Sequence, residues 1–364
     1  MIKPFRIDVP QADLDDLADR LVRTRWPDEL PDAGRDYGIP LARVKELAEY
    51  WRSGYDWRAH EAELNELPQF TTEIDEQTIH FVHVRSTRPD ALALILVHGW
   101  PGSYLEFLDV IEPLSQDFHL VIPSIPGFGF SGPTRDRGWD VDRVARAFAE
   151  LMERLGYDRY GAQGGDWGSG IARALGAVAP DHVVGVHLNY LPTPPPPVPG
   201  AEDGLSDDDK ARLDKIKQLV AQRPGYQVLQ ATRPQTISYA LTDSPVAQLS
   251  WIVERFDEWT DPASTIALDR ILTNVALYWL TGTAGSSARL TRESGLGRSL
   301  PCPVPVGVAV FAHDITRSIR SFAEQAYGLN IVHWSEFGEG GHFAAMEVPG
   351  HFAGDVREFF KGLG

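Results

Sequence analysis

Five glycines crowd the ten residues GAQGGDWGSG, 161 to 170, around one aspartate, Asp166, and its neighbour Trp167. Glycine at this density marks backbone that bends where a Cβ would collide. GGDWG fits the small–x–nucleophile–x–small turn that joins a strand to a helix and holds the central side chain up at the carboxyl edge of a sheet. Taken alone, the cluster is also what a flexible strand–helix turn would show. The surroundings decide, because a nucleophile turn demands a strand before it, a helix after it and partners further along the chain.

The flanks supply those elements. A weak strand at 159–163 leads into the cluster, and the small-residue helix SGIARALGAVA leads out of it, followed by the strand VVGVHLNY. Upstream, TIHFVHVRS alternates as a strand does, while LALILVHGW and FHLVIPSIPGFG are short continuous apolar runs of the buried parallel kind. WDVDRVARAFAELMERLGY places Val144, Phe148, Leu151 and Leu155 on one helical face. Strands and helices alternating in this way predict a mostly parallel central sheet flanked by helices.

The alternation stops at LPTPPPPVPG, 191–200, where a proline run forms a stiff extended connector. Residues 205 to about 290 then read as helices rich in Trp, Tyr and Leu. Strands resume with PVGVAVFAHD and IVHWSEFGEGGHF before the last helix, HFAGDVREFFKGL. Four segments follow: 1–72, an N-terminal extension packed on the core; 73–190, the first part of the core; 191–295, the proline-rich connector and a helical lid inserted between strands; and 296–364, the second part of the core. In the extension, Val44, Leu47, Ala48 and Trp51 recur on one helix face.

Composition mainly excludes. The chain has 364 residues, 43% of them hydrophobic, and its net charge of −17 argues against nucleic acid or an anionic membrane surface as partner. The single cysteine, Cys302, allows no intrachain disulfide and reads as structural between Pro301 and Pro303. The start, MIKPFRIDVPQADLDDLADRL, has no signal-peptide core, and no window reaches the ~18 consecutive apolar residues of a membrane span, so a cytoplasmic protein is expected. His80, His83, His119, His187 and His333 are scattered on strands without metal-ligand spacing; neither a metal nor another cofactor is expected.

Three further stretches carry chemistry. HGWPGS, 98–103, follows a buried strand directly, where an oxyanion-hole loop belongs, with His98 as an architectural member. FAHD puts Asp314 just after a strand, and GEGGHF puts His342 after the next one. The order Asp166, Asp314, His342 is the nucleophile–acid–base order of α/β-hydrolases.

Together these motifs resemble the epoxide hydrolases of the α/β-hydrolase superfamily, in the microsomal-type branch. The resemblance extends over nearly the whole chain, through FRIDVPQADLDDLADRLVRTRWPDEL, HGWPGS, GGDWG, GYQVLQATRPQTISYALTDSPVAQLSWI, LTNVALYWLTGT and GGHFAAMEVP. It implies an α/β-hydrolase fold, with Asp166 as nucleophile, His342 as base and Asp314 as its orienting acid. It also implies that Tyr226 and Tyr278 are the lid tyrosines that hydrogen-bond the epoxide oxygen, and that Trp100 and Trp167 lend backbone N–H groups to the oxyanion hole. The anchor of the mammalian members is missing here, which suggests a soluble bacterial or fungal-like form.

An acid at the elbow suits such a reaction. A serine attacking a saturated epoxide carbon would form an ether that the enzyme could not cleave, whereas a carboxylate forms an ester that it can. A haloalkane dehalogenase also uses an elbow aspartate followed by tryptophan, but it needs halide-binding N–H donors in place of the tyrosine pair. A non-catalytic hydrolase-fold binding protein would be expected to have lost a member of the Asp–Asp–His set. The aromatic lid makes an apolar or aromatic small-molecule epoxide the expected partner, and a homodimer is the expected assembly.

Overall fold

The computed structural model describes residues 1–295 and 301–363. Among these residues nine strands build one sheet: β1 (Lys3–Phe5), β2 (Gln69–Ile74), β3 (Gln77–Val84), β4 (Leu92–Val97), β5 (Phe118–Pro123), β6 (Tyr160–Gly164), β7 (Val183–Leu188), β8 (Val306–Phe311) and β9 (Ile331–Phe337). Their order is β1-β2-β3-β5-β4-β6-β7-β8-β9. From β5 to β9 neighbours pair in parallel, and β1, β2 and β3 add an antiparallel edge.

The central strands are apolar because helices cover both faces. Ala93 to Val97 of β4 are buried throughout. The helix Val141–Arg154 starts where the Asp140 carboxylate accepts the Arg143 N–H at 2.8 Å, and it buries Val144, Phe148 and Leu151 as its spacing predicts. Strand order reverses around β4, with β5 on one side and β6 on the other. A crevice opens at such a reversal, beyond the carboxyl ends of the strands. HGWPGS leaves β4 there, and Gly165–Asp166 leaves β6.

The segment before residue 73 is part of the sheet as well as a layer upon it. β1 and β2 are strands of that sheet, and the expected boundary at 72/73 falls inside β2. The β2–β3 hairpin turns at Asp75 and Glu76, which sit at φ 52° and 58°. A two-residue hairpin turn favours such angles, but here no glycine announces it. The helices Gln11–Val22, Leu41–Ser53 and Trp57–Leu64 follow β1, and Val44, Leu47, Ala48 and Trp51 form the buried face of the second. This layer also reaches the helices beyond β7. Arg35 pairs with Asp257 at 2.7 Å, and the Tyr50 hydroxyl donates to Asp269 Oδ1 at 2.7 Å.

Among the described residues six helices lie between β7 and β8: Asp207–Gln222, Gly225–Thr232, Pro234–Asp243, Pro245–Trp259, Leu268–Leu280 and Ala284–Ser294. Among the described residues no strand interrupts them. The expected restart of the core at 296 lies outside the described residues. The proline-rich connector is tied down at its start, where the Ser318 hydroxyl donates to Leu191 O and the Ile319 N–H donates to Thr193 Oγ1. No described helix is long and apolar enough to cross a membrane.

Candidate active site

At the end of β6 the chain turns through Gly165 into the helix Trp167–Val178, and Asp166 is the pivot. Its backbone is held at φ 49° and ψ −125°. Such a conformation costs of order 1–3 kcal/mol for a residue with a side chain, and it persists only where the surroundings enforce it. Two close approaches do so. A Cβ on Gly168 would lie 1.9 Å from Val97 O, and one on Gly99 would lie 2.3 Å from Asp166 Cβ. The glycines thus let the helix press on β4 and let HGWPGS close over the aspartate.

That loop delivers a donor. The Trp100 N–H bonds Asp166 Oδ1 at 2.8 Å. Trp167 opens the helix, and its N–H makes no hydrogen bond to the Asp166 carboxyl among the described residues. His98 is architectural: its Nδ1 donates to Gly99 O at 3.0 Å and its Nε2 accepts the Ile125 N–H at 3.1 Å. Burial pushes its pKa down to about 4, so the ring is neutral.

Asp314 follows β8 and His342 follows β9, and the fold brings both to Asp166. His342 Nδ1 donates to Asp314 Oδ1 at 2.8 Å, while Nε2 faces Asp166 Oδ2 across 3.6 Å. Burial by itself would lower the His342 pKa, but Asp314 and Asp166 outweigh it and raise the value to about 10.

The two tyrosines arrive from separate helices. Tyr278 is fully buried and its hydroxyl donates to Gly102 O at 2.6 Å. Tyr226 stacks on the Trp100 indole, with ring centroids 5.3 Å apart. Burial raises both phenol pKa values, and the charge of Asp166 raises them further, which places both rings in its field.

Several residues around this centre were not singled out by sequence. Tyr190, just after β7, stands edge-on to His342 at 5.2 Å, and Trp259 does so at 5.0 Å. Glu106 also faces the centre. Burial and then Asp166 push its carboxyl up to about 8, opposed by His342 and by the backbone N–H groups of Gly99 and Ser103. Its signal was readable, since Ser103-x-x-Glu106 is a capping box and Ser103 Oγ accepts the Leu105 N–H. The His342 loop is clamped by Glu347, whose carboxylate accepts N–H bonds from Asp261 (2.7 Å), Gly341 (2.9 Å) and Phe343 (2.9 Å).

A second acidic–histidine cluster lies elsewhere. Asp355 bridges His187 Nε2 and His333 Nε2, each at 2.8 Å. Ser335 meets the same His333 nitrogen at 3.0 Å, so the ring cannot relay a proton from serine to aspartate. Among the described residues no group of three or more His, Cys, Asp or Glu side chains is arranged to hold a metal ion.

The parallel sheet, the strained elbow and the Asp–His–Asp alignment define a member of the α/β-hydrolase class with a carboxylate at the elbow. Residues 93–231 match the family described as alpha/beta hydrolase fold, and residues 2–107 match Epoxide hydrolase N terminus. A Stigmatella aurantiaca protein that carries an epoxide hydrolase name is 45% identical, over all of this chain and 85% of its own length. Epoxide hydrolase 1 of Sus scrofa is 33% identical over 98% of this chain and 88% of its own. The solved structure of Aspergillus niger epoxide hydrolase superposes with a TM-score of 0.93 at 35% identity, covering 100% of this chain and 97% of that one. The chain belongs to the epoxide hydrolase family.

Proposed function

We propose that this epoxide hydrolase works in two steps through an ester on Asp166. In the first, an Asp166 oxygen attacks a ring carbon, the carbon–oxygen bond breaks, and the ring oxygen takes a proton from the tyrosine pair. In the second, water attacks the carbonyl carbon of the ester while His342 Nε2 takes its proton, with Asp314 holding the imidazole through Nδ1. The oxyanion forms on the Asp166 carboxyl, beside the N–H groups of Trp100 and Trp167. Losing one such donor typically costs about 3–4 kcal/mol. Collapse expels the second diol oxygen, which takes the proton from His342.

The observation that carries this reading is the line Asp314–His342–Asp166, 2.8 Å on one side of the imidazole and 3.6 Å on the other. We read residues 191–295 as the lid of this site, because they bring Tyr226, Trp259 and Tyr278 to it. The aromatic walls, Trp100, Tyr190 and Trp259 among them, favour an epoxide bearing an apolar or aromatic group.

Mass spectrometry of the His342→Gln protein with styrene oxide tests the mechanism. An adduct heavier by one substrate mass is expected, and none in Asp166→Ala. If no adduct forms with any epoxide that the native enzyme turns over, the ester mechanism is wrong.

A further inference from the structure

Tyr226 is held from more than one side. Besides the Trp100 indole stacked on it with planes 12° apart, the guanidinium carbon of Arg255 lies 4.9 Å from the centroid of its ring. Arg255 belongs to the helix Pro245–Trp259 and is buried, and its guanidinium also reaches the Trp259 ring at 5.7 Å. Glu254 and Glu258 of the same helix pair with it, Glu258 at 2.9 Å. Its Nε has no hydrogen-bond partner among the described residues. A cation so placed is expensive unless ring faces and carboxylates compensate its lost hydration.

The two tyrosines differ in what they can give. Tyr278 already spends its proton on Gly102 O. Among the described residues Tyr226 Oη makes no protein hydrogen bond, so its proton is not committed to a protein acceptor.

We propose that Arg255 is a positioning residue acting through Tyr226: its guanidinium holds the phenol ring in the cleft and stabilises the phenolate left when Tyr226, rather than Tyr278, protonates the opened epoxide. This rests on the two-step reading above. As the Asp166 ester forms, the ring carbon–oxygen bond breaks, its electron pair stays on oxygen, and that oxygen takes the Tyr226 proton. The phenolate is restored by the second proton of the hydrolytic water once the ester is cleaved. Burial, then Asp166 and Glu258, work against ionisation of Tyr226, and Arg255 is the charge working for it. Tyr190 is a further titratable neighbour.

A double-mutant cycle on the rate of adduct formation, followed with styrene oxide under single-turnover conditions, tests this. Arg255→Met should slow adduct formation about tenfold while Tyr226 is present, leave decay of the adduct within about twofold, and add nothing in a Tyr226→Phe background. Arg255→Lys should recover most of the rate. An equal slowing in the Tyr226→Phe background, or no slowing at all, overturns the proposal. If the native enzyme forms no adduct, the ester reading falls and this inference with it; a normal adduct rate in Arg255→Met sinks this inference alone.

Discussion

His342 turns Nε2 toward Asp166 Oδ2 across 3.6 Å, beyond direct hydrogen-bond reach but close enough for each to set the charge of the other. With burial opposing and Asp314 and Asp166 prevailing, the imidazole is held near pKa 10 in the resting site. A ring that basic is an imidazolium at neutral pH and cannot accept a proton from water. In the two-step reaction proposed above, alkylation would remove the difficulty, because an ester on Asp166 carries no charge. On that reading, the step that forms the ester would also free His342 to act as the base.

The pH dependence follows with a definite sign. Neutralising Asp166 removes one of the two charges that raise the His342 pKa, so the value should fall by about a unit or more. NMR titration of the imidazole in the native protein and in Asp166→Asn measures this directly. The rate of adduct hydrolysis should likewise rise with pH and level off below pH 10. Equal His342 titration in the two proteins would remove the argument.

The clamp on the His342 loop gives a second expectation. Glu347 satisfies three backbone N–H groups, two of them within one residue of His342 and the third on Asp261. Glu347→Ala leaves those donors without their acceptor, at a cost of roughly 2–4 kcal/mol. It should also slow hydrolysis of the adduct more than its formation, because the proposed base, His342, sits on that loop. Urea unfolding and single-turnover kinetics check the two halves, and an unchanged midpoint with an unchanged hydrolysis rate would show that the clamp holds nothing.

How much of this could be read from sequence depended on range. The elbow at Asp166, the loop at Trp100 and the positions of Asp314 and His342 are local features, each a strand end followed by glycine or a polar residue. Helix faces such as Val44–Leu47–Trp51 announce themselves by spacing. The Asp261–Glu347 contact joins residues 86 positions apart, and nothing local in either stretch points to the other. Arg255 likewise reads as one more charge on an amphipathic helix until Tyr226 is packed beneath it. The Asp75–Glu76 turn lacks the glycine that normally marks positive φ, so the strands before residue 73 stayed hidden. Glu106 was the exception, visible as a capping box although its place beside the site was not.

Asp355 offers a test of stability independent of catalysis. Burial alone would raise its pKa, but His187, with Ser335 and His333, brings it down to about 2. An unfolded aspartate titrates near 3.9. The unfolded chain therefore takes up this proton first as pH falls, and the folded state loses ground across that interval. The contribution is fully present above about pH 4, is lost as pH falls toward 2, and amounts to roughly 2 kcal/mol. Asp355→Asn removes the titration, so its deficit against the native protein should shrink between pH 4 and 2. Urea unfolding at a series of pH values measures the difference directly, so background acid denaturation common to both proteins cancels. A deficit that stays the same down to the lowest pH at which both proteins fold would mean that Asp355 contributes through packing and hydrogen bonds but not through its charge.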